Sequence, residues 1–391
     1  MMNSFKQRIA AAVLLAAGMI LILAITGGSI RNFIGKEGGP PPAETAADNP
    51  TGTTGDNPAK TPGEKNEGQT GGKTDAKDTK SNPDGPFNPL TGLPIASGAE
   101  KRRPVAVILN NLKAAQPQLG VAQADIIYEV PIEGGITRML ALYQDVESVG
   151  NLGSIRSVRP YYLEIALGHD AVVVHAGGSN EAYRDITSWD VDHMDGVRGK
   201  SDAKIFWRDQ ARRKSMGYEH SMLTSGEKIQ AYLDEGHFRT DHRAGYLYSQ
   251  SFADDGTPSG GTAAERVEVK FSGYKTGLFQ YDSKTKQYMV SQYGSAYKDG
   301  NTGEQVGVTN LLVLETSIST IDQEGRLQVT TSSVGKGTFF CGGTSIPIRW
   351  QKADRNSPFL YTLDNGAPLV LGKGNSYICL IDPDSGELTV S

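Results

Sequence analysis

Two arginines and a serine between residues 153 and 160 are the side chains best suited to hold an anion. Arg156 and Arg159 lie just before Pro160, which favours the first turn of a helix. A helix N-terminus presents unpaired N–H groups and a partial positive charge, so two guanidinium groups beside it suit a phosphate or a carboxylate. Ser157 adds a hydroxyl donor between the two arginines. The spacing predicts an anion site at this point.

A second set of donors follows the next apolar strand. Gly177 and Gly178 would let backbone amides approach a ligand, and Ser179 suits the N-cap of another helix. The alternative is that the two arginines bind carboxylates of their own chain, such as Glu129 or Glu133, and that the glycines only form a turn. The sequence leaves both interpretations open.

Further polar residues are predicted to join or support this site. Arg138 follows a hairpin turn, and Arg208 belongs to the segment Phe206-Trp207-Arg208-Asp209, which would form either a ligand-stacking wall or internal packing. The supporting residues are Asn110, Asp125, Glu133, His175 and His220. Glu133 would act as a base, as a metal ligand or, in the interpretation we favour, as the partner of an arginine. A lone histidine such as His175 is more often packed than catalytic.

The sequence contains no known catalytic signature. GxSxG, HExxH, the P-loop, paired CxxC and the EF-hand loop are all missing, so we expect neither a metal nor a cofactor. A serine hydrolase would need Ser179 or Ser221 beside His175 or His220, which only geometry can test. A non-catalytic binding protein is the expectation.

The first part of the chain is typical of an exported protein. Residues 9–25 form an uncharged apolar run that follows Lys6 and Arg8, and its length falls between a transmembrane helix and a signal peptide. Residues 1–34 are therefore predicted to form a retained anchor, with a cleaved signal as the alternative. Residues 35–86 lack large apolar side chains and are predicted to be a disordered linker.

Two folded domains are predicted after the linker. Residues 87–253 contain apolar strands at 104–109, 125–130, 136–143 and 171–175, with helices near 161–168, from Ser179 to 186, and from the Thr224 capping box to 235. This mixture predicts an α+β domain with a mixed sheet. Residues 254–264 form a polar linker, and residues 265–391 contain short β-type runs, so the C-terminal domain is predicted to be mostly β.

The cysteine content and the net charge limit the kinds of membrane anchor, cross-link and binding partner that we expect. Cys341 and Cys379 are the only cysteines, so no lipobox cysteine is available for acylation near the apolar segment. The two could form a disulfide or remain buried thiols. The net charge of −5 disfavours a nucleic-acid partner, because such proteins carry a basic surface.

Several ordered blocks resemble the YerB-like lipoprotein family, namely NPLTGLPI, RPVAVILNN, QPQLGVAQADIIYEVPIEGGITRMLALYQ, GSIRSVRPYYLEIA, AVVVHAGGSNEAY, FWRD and HSMLTS. The resemblance extends from Phe87 to nearly the C-terminus. It implies an envelope protein facing away from the cytoplasm, with a domain of unknown function before a β-rich domain, no established activity and a link of some members to peptidoglycan synthesis. The missing lipobox cysteine departs from the lipoprotein members.

A fainter similarity concerns the LytR-CpsA-Psr enzymes, which attach glycopolymers to the wall. Asp125, Arg156, Arg159 and Gly177-Gly178 follow a loosely similar order, so the alternative function is a phosphotransferase acting on polyprenyl-pyrophosphate-linked glycopolymer, with Asp125 or Glu133 assisting a divalent metal. The leading hypothesis is a single-pass membrane protein that binds an anionic cell-wall component or a membrane-bound wall-synthesis protein.

Overall fold

The computed structural model describes residues 85–246, 248 and 250–391. The predicted anchor at residues 9–25, and all but the last two residues of the predicted linker at 35–86, lie outside this part of the chain. None of the helices within the described residues combines the length and the apolar character that a membrane crossing requires.

The first half of the described chain alternates strands and helices. Its strands are β1 Val105–Asn110, β2 Ile126–Pro131, β3 Thr137–Tyr143, β4 Asn151–Gly153, β5 Val172–His175, β6 His193–Asp195, β7 Trp207–Arg208 and β8 Met222–Ser225. Its helices are α1 Pro160–Gly168, α2 Asn180–Ser188, α3 Gln210–Met216 and α4 Gly226–Asp234.

The second half of the described chain is built from strands. These are β9 Ser251–Ala253, β10 Thr262–Ala263, β11 Arg266–Lys270, β12 Thr276–Asp282, β13 Gln287–Gln292, β14 Ser295–Ala296, β15 Gly307–Val308, β16 Asn310–Glu315, β17 Ile318–Thr320, β18 Leu327–Val329, β19 Val334–Cys341, β20 Thr344–Gln351, β21 Leu360–Thr362, β22 Val370–Gly372, β23 Ser376–Ile381 and β24 Glu387–Val390.

Strands from both halves form one central sheet, in the order β10-β20-β19-β16-β23-β2-β3-β1-β5-β6, with β21 added beside β20. The hairpin of β2 and β3 is antiparallel, whereas β2 and β23 are parallel and join the two halves. The sheet is therefore mixed, which confirms the predicted α+β fold followed by a mostly β region. Two residues of the predicted linker, Thr262–Ala263, form the edge strand β10.

Each face of the central sheet is covered by a different layer. Side chains of a strand alternate between faces, so Val107 of β1 joins one apolar core and Ile108 joins the other. Helices α1 and α2 cover the Ile108 face. The Val107 face packs against α4 and against a second, antiparallel sheet, β14-β13-β12-β11-β24 with β15 beside β13. The fold therefore has three layers, and the polar edges of the central sheet are where a functional site could lie.

The predicted helix starts are right in two of three cases. Pro160 begins α1, and the Ser179 hydroxyl caps α2 by accepting a hydrogen bond from the Ala182 amide. The third prediction is wrong by one residue. Ser225 rather than Thr224 caps α4, because the Thr224 hydroxyl is buried in β8 and donates to the Ile205 carbonyl.

Both cysteines are buried as free thiols, so the disulfide alternative is wrong. Cys341 belongs to one apolar core and Cys379 to the other, which places them on opposite faces of the sheet. Burial raises the pKa of Cys341 to about 11 and that of Cys379 well above its ordinary value. Iodoacetamide should therefore label neither thiol in the folded protein and both after unfolding, as mass spectrometry would show. A disulfide that blocks labelling of the unfolded chain would contradict this expectation.

Candidate functional site

One edge of the central sheet brings together three of the four predicted arginines, namely Arg138, Arg156 and Arg159. The carboxyl ends of β1, β2 and β5 meet there with the amino end of β3, because β3 runs antiparallel to its neighbours. Arg138 of β3 lies opposite Asn110 of β1 and Val130 of β2. The segment before α1 follows the same edge, since the Arg156 amide donates to the Ile108 carbonyl at 2.9 Å.

Arg138 is the most buried of the three arginines. It is 6% exposed, and its Nη1 donates to the carbonyl of Ser157 at 2.6 Å. Among the described residues, Arg138 makes no ion pair. Burial, followed by the charges of Arg159 and Arg156, lowers its pKa to about 9 despite the nearby carboxylate of Glu133. The edge therefore carries more positive charge than its own acids balance.

Arg159 is paired with Glu133, as the alternative interpretation expected. Its Nε lies 3.2 Å from Oε2 of Glu133, and its Nη2 contacts Oε1, so the pair is bidentate. Burial alone would raise the pKa of Glu133, but the hydrogen bond and the charge of Arg159 hold it below its usual value. Glu133 is thus a fixed partner of an arginine rather than an available base.

Arg156 has a looser partner. Its Nη1 donates to the carbonyl of Glu219 at 2.9 Å, and its Nη2 lies 3.5 Å from the Glu219 carboxylate. The side chain of Glu219 is 54% exposed, whereas that of Arg156 is 19% exposed. An ion pair with one exposed partner contributes little to stability, so an incoming anion could replace the Glu219 carboxylate at small cost.

In the turn after β5, the amides of Gly177 and Ser179 donate to groups of the chain itself. The Gly177 amide donates to Oδ1 of Asp195 at 2.9 Å, and the Ser179 amide donates to the Val158 carbonyl. The Ser157 hydroxyl donates to the Ala176 carbonyl at 3.1 Å. A Cβ on Gly177, which has a positive φ, would come within 3.1 Å of the Ser157 hydroxyl. Close approach of the turn to residue 157 is therefore the role of these glycines, and the prediction for Gly177 and Ser179 is corrected.

His175 lies behind this turn and is wholly buried. Its Nδ1 contacts the Gly177 carbonyl at 2.8 Å and its Nε2 contacts Nδ1 of His193 at 2.9 Å. Because a carbonyl only accepts, Nδ1 of His175 carries the proton and its Nε2 accepts from His193. Burial lowers the pKa of His175 to about 4, so the ring is neutral near pH 7. His175 is therefore a packed histidine, as the sequence analysis expected of a lone histidine at this position.

His220, Asn110 and Arg208 lie around the segment 218–220, whose Glu219 carbonyl accepts from Arg156. Nδ1 of His220 is 3.0 Å from Nδ2 of Asn110, while Arg208 lies over the ring of Tyr218 and donates to the Tyr218 carbonyl at 2.8 Å. Burial and the charge of Arg156 lower the pKa of His220.

The serine-hydrolase interpretation finds no support in the described residues. The hydroxyl of Ser221 donates to the Tyr218 carbonyl, and that of Ser179 caps its helix, so neither contacts a histidine.

Asp125 does not belong to this site. It precedes β2, whereas Glu133 follows that strand, so the two acids are about 20 Å apart at 3.3 Å per residue. Asp125 accepts from Asn88 at 2.8 Å and from the Gln144 amide at 2.6 Å, and burial raises its pKa to about 6. The hypothesis that Asp125 assists a metal beside the arginines is wrong. Within the described residues, no three metal-ligating side chains of His, Cys, Asp or Glu come together.

A buried polar cluster beside the arginines was not predicted from the sequence. Glu129 is 0% exposed and does not bind an arginine; its Oε1 lies 3.2 Å from Nζ of Lys275, which is also fully buried. The signal was present in the sequence, since Glu129 interrupts an otherwise apolar strand. Its partner could not be found, because Lys275 lies in the distant turn between β11 and β12.

Comparison with known proteins agrees with the resemblance seen in the sequence. The family models described as "Protein of unknown function (DUF3048) N-terminal domain" and its "C-terminal domain" match residues 90–239 and 267–378. The protein named "Putative lipoprotein YerB" of Bacillus subtilis (strain 168) is 30% identical over 78% of this chain and 88% of its own length.

A solved structure leads to the same relative. The crystal structure of YerB from Bacillus subtilis has a TM-score of 0.67 and 29% identity, and the match covers 78% of this chain and 99% of that one. Sequence and structure therefore agree over both halves of the fold, and the chain belongs to the YerB-like family, whose members carry the DUF3048 N-terminal and C-terminal domains.

Proposed function

We propose that this chain is a membrane-attached protein of the cell envelope that faces away from the cytoplasm. We propose further that its cluster of Arg138, Arg156 and Arg159 binds an anionic cell-wall component. The observation that carries the binding function is the charge balance at the sheet edge. Within the part of the chain that the structure describes, the three guanidinium groups form ion pairs with two carboxylates, and the most buried guanidinium forms none. A bound phosphate or carboxylate would supply the missing negative charge.

Attachment to the membrane is supported by the relative and by the apolar N-terminal segment. The Bacillus subtilis relative is named a lipoprotein, whereas this chain has cysteines only at positions 341 and 379. Residues 9–25 would therefore hold the chain in place of a lipid, as a single membrane-spanning segment. The folded part would then stand outside the cytoplasm, where wall polymers rich in phosphate and carboxylate are accessible.

The geometry assigns different roles to the three arginines. Arg159 is held by Glu133 and orients the site. Arg138 is buried beneath the site, donates to the Ser157 carbonyl and contributes a positive charge. Arg156 is the group that an anion reaches first, because its partner Glu219 is exposed and easily displaced. Binding would exchange Glu219 for the ligand without disturbing the buried pair.

Binding to purified wall fragments that carry anionic polymer tests this function. Arg156→Gln should weaken binding about tenfold to a hundredfold, since a hydrogen bond to a charged group contributes about 1.5–3 kcal/mol. Glu219→Gln should strengthen binding, because it removes the competing carboxylate. Arg349→Gln removes an exposed arginine paired with Asp364 elsewhere on the surface and serves as the charge-matched control.

Cosedimentation at two salt concentrations would measure these effects. Equal binding by the wild type, Arg156→Gln and Arg349→Gln would reject the arginine site. Binding to an acidic polypeptide such as polyglutamate, but not to phosphate-bearing polymer, would point instead to an acidic segment of a wall-synthesis protein as the partner.

A further inference from the structure

The buried cluster around Glu129 places an amine and a carboxamide against the same carboxylate oxygen. Oε1 of Glu129 lies 3.2 Å from Nζ of Lys275 and 2.8 Å from Nδ2 of Asn111. The side chains of Lys275 and Glu129 are both 0% exposed, and Asn111 is also fully buried. An amine nucleophile and a carboxamide therefore lie on the same proton acceptor, and all three side chains are buried from water.

Two polar atoms of this cluster have unmet hydrogen-bonding capacity. Nζ of Lys275 is at ion-pair distance from Glu129 but outside hydrogen-bond geometry, and Oδ1 of Asn111 has no hydrogen-bond partner among the described residues. Such atoms are rare in protein interiors, because a buried polar group without a hydrogen bond has lost its hydration and gained nothing in return. A buried ion pair is also costly unless its geometry is good. The unmet charge of Nζ ends if the lysine and the asparagine react with each other, because Nζ then becomes a neutral amide nitrogen.

We propose that Lys275 and Asn111 form an intramolecular isopeptide bond and that Glu129 is the catalytic residue. Glu129 accepts a proton from Nζ, and the neutral amine attacks Cγ of Asn111 to form the new C–N bond. The protonated Glu129 then donates to Nδ2, and the bond between Cγ and Nδ2 breaks as one ammonia molecule leaves. Glu129 takes up the second proton that the new amide nitrogen loses, so the carboxyl group ends protonated. Atoms and electrons balance without an oxidant or a cofactor, and no charge remains on the two linked side chains.

Neighbouring side chains hold the three reacting groups in place. Glu129 also accepts from Thr137 at 2.6 Å and from the hydroxyl of Tyr377 at 2.5 Å, which orients its carboxylate. The ring of Tyr293 lies over Nζ of Lys275, with its centroid 4.9 Å away, and its hydroxyl donates to the Asn111 backbone carbonyl at 2.7 Å. Groups fixed at such short range react as though at very high concentration.

The bond would link distant parts of the chain. Asn111 follows β1 in the central sheet, and Lys275 lies in the turn between β11 and β12 of the second sheet. A covalent link that closes so long a loop restricts the unfolded chain and stabilises the fold. Both cysteines are free thiols, so the isopeptide bond would provide the covalent cross-link that a disulfide would otherwise provide.

Tryptic digestion of the unfolded full-length protein, followed by tandem mass spectrometry, tests the proposal directly. Cleavage at Lys275 should be blocked, and residues 103–113 should appear joined to residues 271–284 at the summed mass of the two peptides less one ammonia. Fragment ions should place the link at Asn111 rather than Asn110.

Variants identify the catalyst. Glu129→Gln keeps the shape of the side chain but cannot accept the proton, so the linked peptide should be lost, as it should be in Lys275→Arg. Lys270→Arg changes an exposed lysine of the neighbouring strand and should leave the linked peptide intact. Free peptides ending at Lys113 and Lys275 in the wild-type digest would overturn the proposal whatever the variants do. Loss of water with a link at Glu129 would overturn it as well.

Discussion

Replacing Lys275 with methionine should lower the free energy of unfolding by about 3–5 kcal/mol, because the substitution leaves the Glu129 carboxylate buried without its cation. Both side chains are 0% exposed, so water cannot screen or solvate the remaining charge. In the linked protein the proposed isopeptide bond would take the place of this ion pair, and the same substitution would then lower stability by removing the covalent link. Urea denaturation followed by circular dichroism would measure the difference.

A surface pair provides the matched control for this prediction. Lys270 is 3.2 Å from Glu387, with side chains 46% and 62% exposed, so Lys270→Met should cost less than about 1 kcal/mol. Adding Glu129→Gln to Lys275→Met should recover part of the lost stability, because it removes the stranded charge. A loss for Lys275→Met no larger than that for Lys270→Met would contradict the assigned role of the buried pair.

Acidification from pH 7 to pH 4 should destabilise the protein by about 4 kcal/mol, mainly through two buried histidines. Burial lowers the pKa of His169 to about 3 and that of His175 to about 4, whereas an unfolded histidine titrates near 6.5. The unfolded chain therefore binds more protons across this window, and stability falls as the pH drops. Each histidine contributes about 3 kcal/mol.

Asp125 opposes part of this effect. Burial raises its pKa to about 6, so the folded state takes up a proton before the unfolded state does, which offsets about 2 kcal/mol on acidification. Denaturant titrations at pH 7, 5.5 and 4 would measure the net change. In Asp125→Asn the loss on acidification should grow, and equal wild-type stability at pH 7 and pH 4 would refute the prediction.

The sequence was sufficient for the local elements because their signals are local. Pro160 and Ser179 mark helix starts by their own backbone and hydroxyl chemistry, and the antiparallel hairpin of β2 and β3 follows from two apolar runs around a glycine turn. Thr224 shows the limit of such signals, since burial of its hydroxyl in β8 passed the capping role to Ser225. Tertiary packing decided between two adjacent hydroxyl residues.

The arginine site was predicted in composition but not in detail. Arg156 and Arg159 were predicted from their spacing before a helix start and Arg138 from its place after a hairpin turn, and the three share one sheet edge. Asp125 was wrongly added to them, because the sequence does not show that β2 carries it to the opposite edge. The amides of Gly177 and Gly178 were assigned to a ligand, yet the Gly177 amide donates to the side chain of Asp195.

By itself the sequence determined the order of the elements, the apolar first segment, the α+β character and the family. Only the tertiary structure decided which strands of the first half of the chain pair with strands of the second half. A single sheet contains strands from both halves, and Glu129 meets Lys275 across that junction. The physical reason is that helix and strand signals depend on neighbours along the chain. Ion pairing and burial depend on neighbours in space, which only long-range packing supplies.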